Sequence, residues 1–474
     1  MKKWCVLLLL IILLIPSIGI CDDTRWMPSC LIWVSGINQT AEYAEEASRF
    51  DMILFSRLNF GEWDDYCGAT RCIYDDIKTH NPDIKILTYI LGGSIYSTHD
   101  AYVTRSLNDL GRWDISRGHS MGAVHLDNDA TMILHSGGLD LNVPGSTVKF
   151  LLNPLNTGGY FNEAIEADLF DDEDGFDGDC DGVFFDNVRS YDVVSDEFAT
   201  RDDYGAAWGT WFDAVVPYWE NKGKEVCTNS GTARELYGRS MWDAWWANGN
   251  RLPDYVLDEY TVVTQYGDGD IQFYTSTYTI PALPYWRDMA SKTHLVFGNG
   301  IGSYWDNNDT GLDNYGRVVN KEWVEQYAFG MYCLVRNNDI STYFALFTEA
   351  SGGQTWDDIY SEANTGAFRL GDAIGDYYVK TVDGTDLYMR DFENGYVVVN
   401  LSSTDVSNIS ISDDLGIAAQ VKEVSLSNST KGWKSDIEKM RHHTAVILRR
   451  FEVPPTNSSG VVTSGSEIIL GGNS

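Results

Sequence analysis

The sequence predicts an α/β chain: a (β/α)8 TIM barrel followed by a small antiparallel β-sandwich domain. Three observations carry this. Eight short apolar runs alternate with amphipathic helical patterns, the arrangement of a parallel sheet closed on itself. After Asp376 the pattern changes to short, closely spaced strands with turns between them. The length of 474 residues suits a barrel of roughly 250–350 residues plus a smaller partner. With 43% hydrophobic and 22% charged residues, the chain has enough apolar side chain for a sizeable core.

The eight runs are Leu31–Val34, Met52–Phe55, Ile84–Ile90, Gly182–Phe185, Glu225–Thr228, Tyr255–Leu257, His294–Phe297 and Tyr343–Phe347. Continuous apolar runs of this kind fit parallel strands buried on both faces. Helical stripes lie between them. Trp208, Trp211, Phe212, Val215 and Trp219 recur at helical spacing after the fourth run. Phe161, Ala164, Ile165 and Leu169 do so before it, and Val324, Tyr327, Ala328 and Met331 before the eighth. No G-x-G-x-x-G follows the first run, which argues against an open doubly wound sheet. In the second domain, strands are expected at Val379–Val382, Leu387–Met389, Tyr396–Val399, Val421–Val424 and Ala445–Leu448, with a hairpin turn at Glu393-Asn394-Gly395.

The expected organisation has four parts. Residues 1–21 read as a signal peptide: Lys2-Lys3, an apolar run from Cys5 to Ile15, then Pro16, Ser17 and Gly19. That run is short for a membrane span, so the mature chain is expected to be secreted, with no span of its own. Residues 22–375 form the barrel, with a long insertion at about 91–181. Residues 376–452 form the β-sandwich, and 453–474 a flexible tail. Export permits disulfides, and Cys67 with Cys72 is the leading pair. Cys180 and Cys227 either pair or are buried thiols. The net charge of −35 repels a phosphate backbone and excludes nucleic acid as a partner.

In a barrel of this type, function sits at the C-terminal ends of the strands. The fourth run ends in Asp186-Asn187, the fifth in Asn229-Ser230 and the sixth in Asp258-Glu259-Tyr260. The seventh ends in Gly298-Asn299 with no acid, and Thr348-Glu349 follows the eighth. Two carboxyl groups across a barrel mouth suit cleavage of a glycosidic bond: one protonates the leaving oxygen, the other attacks the anomeric carbon or activates water. Asp186 is the first candidate. Glu259 is favoured as its partner, with Asp258 as the alternative acid, because strand register decides which of the two points inward. Retaining and inverting outcomes both stay open.

Sugar rings stack on aromatic faces, so Tyr89, Trp246 and Trp305 are candidate substrate-binding residues beside Asn187 and Asn229. No metal ligand set is assigned. His119, His125, Asp127 and Asp129 lie at irregular spacing in the insertion and read as surface residues. Asp177-x-Asp179-x-Asp181-Gly182 matches the start of a calcium loop, but the twelfth position is Val188. Calcium therefore stays open beside a solvated acidic turn.

Asp181-Gly182-Val183-Phe184-Phe185-Asp186-Asn187 resembles the fourth-strand motif of a glycoside-hydrolase-like TIM-barrel family related to the endo-α-1,4-polygalactosaminidases. Val226-Cys227-Thr228-Asn229 and Val256-Leu257-Asp258-Glu259 resemble that family's fifth- and sixth-strand elements. Arg390-Asp391-Phe392-Glu393-Asn394-Gly395-Tyr396-Val397-Val398-Val399-Asn400 resembles the hairpin of its β-domain. The departure is Asp258-Glu259, where the family shows a single Glu after an apolar residue. The resemblance implies a secreted glycoside hydrolase acting on a polysaccharide or oligosaccharide, with Asp186 as nucleophile or base and Glu259 as general acid. The rival expectation is a non-catalytic polysaccharide-binding barrel.

Overall fold

The computed structural model describes residues 26–33, 41–55, 73–91, 94–96, 149–151, 154–155, 180–186, 188–190, 198–230, 233–264, 271–300, 310–347, 360, 364, 368–425 and 433–450. The signal-like segment, most of the insertion, the Phe161–Leu169 stripe, Cys67, Cys72 and the tail lie outside them.

Eight parallel strands form one sheet in sequence order. They are β1 (Cys30–Trp33), β2 (Met52–Phe55), β3 (Lys85–Leu91), β4 (Gly182–Asp186), β5 (Glu225–Asn229), β6 (Tyr255–Asp258), β7 (His294–Gly300) and β8 (Tyr343–Phe347). A parallel bridge from Ser29 to Phe344 nearly closes the ring, and the Phe344 amide donates to the Pro28 carbonyl at 2.8 Å. Among the described residues six helices pack outside: α1 (Ala41–Ala47), α2 (Ile73–His80), α3 (Arg201–Glu220), α4 (Leu236–Asn248), α5 (Ser276–Ala290) and α6 (Lys321–Val335). This nearly closed parallel barrel with helices outside is consistent with the (β/α)8 arrangement, and all eight strands fall on the apolar runs.

Alternation along the strands sorts side chains into two layers. Cys30, Ile32, Met52, Leu54, Leu87, Phe184, Cys227, Tyr255, Leu257, Val296, Tyr343 and Ala345 fill the barrel interior. Their neighbours Leu31, Ile53, Ile86, Val183, Phe185, Val226, Val256, Leu295, Phe297 and Phe344 point outward into the helix layer. Cys180 belongs to that outer layer and Cys227 to the interior, so they do not pair. Cys30, Cys180, Cys227 and Cys333 are all buried. The Trp208–Trp219 stripe is the buried face of α3, whose N-terminus is capped by Thr200 accepting from the Asp203 amide. At the base of the insertion, Ser94–Tyr96 pairs antiparallel with Lys149–Leu151.

The antiparallel domain is a six-stranded sheet in the order β9-β10-β11-β16-β13-β14. Its strands are β9 (Ala373–Val382), β10 (Thr385–Phe392), β11 (Gly395–Asn400), β13 (Val421–Val424), β14 (Trp433–Lys434) and β16 (Thr444–Arg450). A separate pair, β12 (Val406–Ser410) with β15 (Asp436–Met440), covers one face through Val406, Ile409, Ile437 and Met440 against Leu387, Met389, Tyr396 and Val398. The other face lies on α6 through Val397, Val399, Ala445 and Ile447. The expected sandwich is thus lopsided: a six-stranded layer with a two-stranded layer on one side and a barrel helix on the other. α6 is apolar on nearly every side because the barrel and the sheet both bury it.

Candidate active site

The inward alternation that places Phe184, Cys227 and Leu257 in the barrel interior carries Asp186, Asn229 and Glu259 to its mouth. Leu87 does the same for Tyr89 on β3, whose ring packs on the interior layer, edge to face with Phe184. The four side chains meet. The Tyr89 hydroxyl donates to Asp186 Oδ2 at 2.7 Å. Asn229 Nδ2 donates to Asp186 Oδ1 at 2.8 Å and to Glu259 Oε2, also at 2.8 Å. One amide nitrogen therefore bridges the two carboxyl groups. Its two bonds limit the separation of those two oxygens to twice 2.8 Å, about 5.6 Å. Asp186, Asn229, Tyr89 and Glu259 are all half-buried, as groups at the edge of a cleft are.

Asp258 goes the other way. Its parity turns it outward, where it is fully buried and accepts from Trp286 Nε1 of α5 at 2.5 Å. Burial pushes its carboxyl up to about 6, against the opposing pull of Arg234 and of the Trp286 bond. The alternative acid is thus placed behind the strand, in the helix layer, away from Asp186. Arg234 lies beside this turn, stacked 3.9 Å over Tyr274, with Nη2 donating to the Glu259 carbonyl at 3.4 Å.

Trp246 is also placed elsewhere. It sits near the C-terminal end of α4, on the outside of the barrel, stacked on Tyr285 of α5 with Lys292 4.7 Å over its ring. A helix after a βα loop runs back toward the opposite end of the barrel, so its last turn lies far from the mouth. Trp246 is a packing residue between helices. Asn187, Trp305, Glu349 and the insertion residues His119, His125, Asp127 and Asp129 lie outside the described residues.

Tyr260 is the residue the sequence reading passed over. It follows Glu259, adopts φ 57°, and lays its ring on the interior layer at the mouth. The only sequence signal was its position after an acid at a strand end. A bulky residue at positive φ is visible only in three dimensions.

Of the calcium-like run, Asp181 is described, and it serves the fold: its Oδ2 accepts from Lys78 Nζ and from the Ile86 amide, each at 2.8 Å. Asp177 and Asp179 lie outside the described residues. Among the described residues no group of three or more His, Cys, Asp or Glu is placed to hold a metal ion. No described helix is long and apolar enough to cross a membrane.

No family model matches the chain, and no curated protein matches it. Among solved structures it is similar to Eubacterium rectale Amy13B, with TM-score 0.46, 10% identity, and coverage of 90% of this chain and 96% of that one. It is similar to Bacillus licheniformis trehalose-6-phosphate hydrolase, with TM-score 0.45, 10% identity, and coverage of 90% and 100%. A family 39 glycoside hydrolase from Bacteroides cellulosilyticus WH2 aligns with TM-score 0.41, 10% identity, and coverage of 90% and 82%.

Proposed function

We propose that the protein is a secreted glycoside hydrolase that cleaves a polysaccharide or oligosaccharide with retention of anomeric configuration. Asp186 is the nucleophile and Glu259 the general acid and base. The observation that carries this reading is the single Asn229 amide donating to both carboxyl groups. Retaining enzymes hold their two carboxyl groups at about 5–5.5 Å, and inverting enzymes at about 6.5–9.5 Å to leave room for a water molecule. The bridge holds the nearest oxygens of the pair within about 5.6 Å, a limit that accommodates the retaining spacing. The fourth- and sixth-strand motifs described above support the same chemistry, and the signal-like N-terminus supports export.

In the first step an Asp186 oxygen attacks the anomeric carbon while Glu259 gives its proton to the departing oxygen. An ester between sugar and Asp186 forms, and the aglycone leaves as an alcohol. In the second step Glu259, now a carboxylate, takes a proton from water; the water oxygen attacks the same carbon and frees Asp186. Tyr89 and Asn229 hold both oxygens of Asp186, so attack needs no search over rotamers.

The test is a panel of polysaccharides and aryl glycosides given to wild type, Asp186→Asn and Glu259→Gln. Wild type is expected to release sugar with retained configuration by proton NMR. Asp186→Asn should lose on the order of a thousandfold or more, and Glu259→Gln roughly a hundredfold or more on substrates with poor leaving groups. Equal release by wild type and Asp186→Asn overturns the assignment, and an inverted product overturns the nucleophile. Binding of a polysaccharide without release selects a non-catalytic barrel instead.

A further inference from the structure

β7 ends without an acid, yet its last three residues hold the turn that follows Glu259. The Gly298 carbonyl accepts from the Thr261 amide at 2.8 Å and from the Thr261 hydroxyl at 2.9 Å. Asn299, fully buried, offers Oδ1 to the same hydroxyl at 2.9 Å and to the Val262 amide at 3.4 Å. Gly300 supplies space. A β-carbon there would stand 2.8 Å from Cε1 and 2.9 Å from Cδ1 of Tyr260, and 3.3 Å from Thr264 Oγ1. The Tyr260 ring thus rests on the bare backbone of Gly300.

Tyr260 has its backbone at φ 57°, a region that L residues with large side chains avoid. Such a conformation persists only where surrounding contacts over-determine it. Here they come from β7: hydrogen bonds to Thr261 and Val262 on one side of Tyr260, and the seat for its ring at Gly300. This left-handed residue directly follows Glu259 in the chain. Glu259 Oε2 meets Asn229 Nδ2, and through it Asp186.

We propose that Asn299 and Gly300 are positioning residues for the acid of β6, acting on Glu259 through Tyr260 and Thr261. This rests on Glu259 being the general acid, as proposed above. It gives the acid-free strand a catalytic reason for its Gly-Asn-Gly end. It also makes the space at position 300 a determinant of proton transfer rather than of sugar binding.

The test uses the full chain with Gly300→Ala, Tyr260→Gly, the double variant, and Thr261→Val. Thr261→Val removes the hydroxyl, whose one proton the Gly298 carbonyl and Asn299 Oδ1 share, without adding bulk, so it reports even where Gly300→Ala folds poorly. Rates are read on two aryl glycosides of the same sugar, phenyl and 2,4-dinitrophenyl. Only the poorer leaving group, phenol, needs a proton from the acid. Gly300→Ala and Thr261→Val are expected to lower kcat/KM, which reports the first step alone, about tenfold or more on the phenyl glycoside and little on the dinitrophenyl one. The limb of the pH profile set by the acid should move. Tyr260→Gly, which accepts positive φ and has no ring to displace, should make Gly300→Ala neutral in the double variant. Equal losses of kcat/KM on both glycosides, or additive losses in the double variant, overturn the proposal. Crystal structures of wild type and Gly300→Ala provide a readout that needs no turnover. The Glu259–Asn229 bond is expected to break in the variant, and an unmoved Glu259 and Tyr260 overturn the proposal. If wild type cleaves no glycoside, the hydrolase reading fails while the crystallographic comparison still decides the positioning.

Discussion

At the scale of single residues, neighbouring acids have opposite fates. Asp258 and Glu259 differ by one position, and a strand gives successive side chains to opposite faces. Glu259 reaches the mouth, and Asp258 is driven behind the strand into the helix layer beside Trp286. Such burial of a carboxyl carries a pH dependence. The Asp258 carboxyl sits at about 6 in the folded protein, above the usual value of 3.8. The unfolded chain therefore releases this proton first as pH rises. Stability is lost from about pH 4 through 6 and stays lost above, on the order of 3 kcal/mol in all. Asp258→Asn keeps an oxygen to accept from Trp286 and has no proton to lose. Its melting temperature relative to wild type is expected to rise between pH 4.5 and pH 7.5, read by calorimetry. A constant difference across that range would show that Asp258 is paired well enough to stay charged.

At the scale of elements, the hairpin motif that the sequence offered as a resemblance has a physical account. Arg390 is nearly buried, at 6% exposure, and closes the C-terminal end of α6. Its Nη1 donates to the carbonyls of Cys333, Leu334 and Arg336 at 3.0, 3.1 and 2.7 Å, and its Nε to that of Gly375 at 3.0 Å. A helix leaves its last carbonyls unpaired, and a cation there answers both their hydrogen bonds and the helix dipole. Gly395 leaves room for the neighbouring strand: a β-carbon would lie 2.4 Å from the Leu448 carbonyl oxygen. Asn400, fully buried, donates to the carbonyls of Thr404 and Met440. The motif thus docks the sheet on the barrel. Arg390→Met is expected to destabilise the protein by about 3 kcal/mol, measured by urea unfolding, because several buried carbonyls lose their donor. Arg390→Lys should recover only part of this, since an ammonium cannot span the same fork. These residue types were legible in the sequence, but the helix they cap was not, since 54 to 57 residues separate Arg390 from the carbonyls it serves.

At the scale of the molecule, barrel and sheet share one buried joint. His443, in the turn before β16, stacks on Phe273 and Tyr315 of the barrel, with centroids 5.5 and 5.1 Å away. Burial, aided by His442 and Arg317, pushes its imidazole down to about 3. The unfolded chain takes up this proton near pH 6.5 and the folded protein only near 3, so stability falls as pH drops below 6.5. At pH 5 the loss is roughly 2 kcal/mol. His443→Asn tolerates the φ of 55° at this position and carries no proton. Its melting temperature should fall less than that of wild type between pH 7 and pH 5. An equal fall in both would place the acid sensitivity elsewhere.

By itself the sequence determined the number and order of the barrel strands, the α3 and α6 stripes, the β10–β11 hairpin, and Asp186 as the acid ending the fourth strand. These depend on period and on local turn chemistry, which a sequence displays directly. It also pointed to Asn229, Tyr89 and Glu259 as strand-end residues, but separately. Only the tertiary structure brought them to one amide nitrogen, turned Asp258 away, moved Trp246 to the outer layer and exposed the left-handed Tyr260 over Gly300. Each of these depends on where a strand stops and how it registers with its neighbour. That is settled by hydrogen bonds and close packing between residues dozens of positions apart, so no local pattern records it.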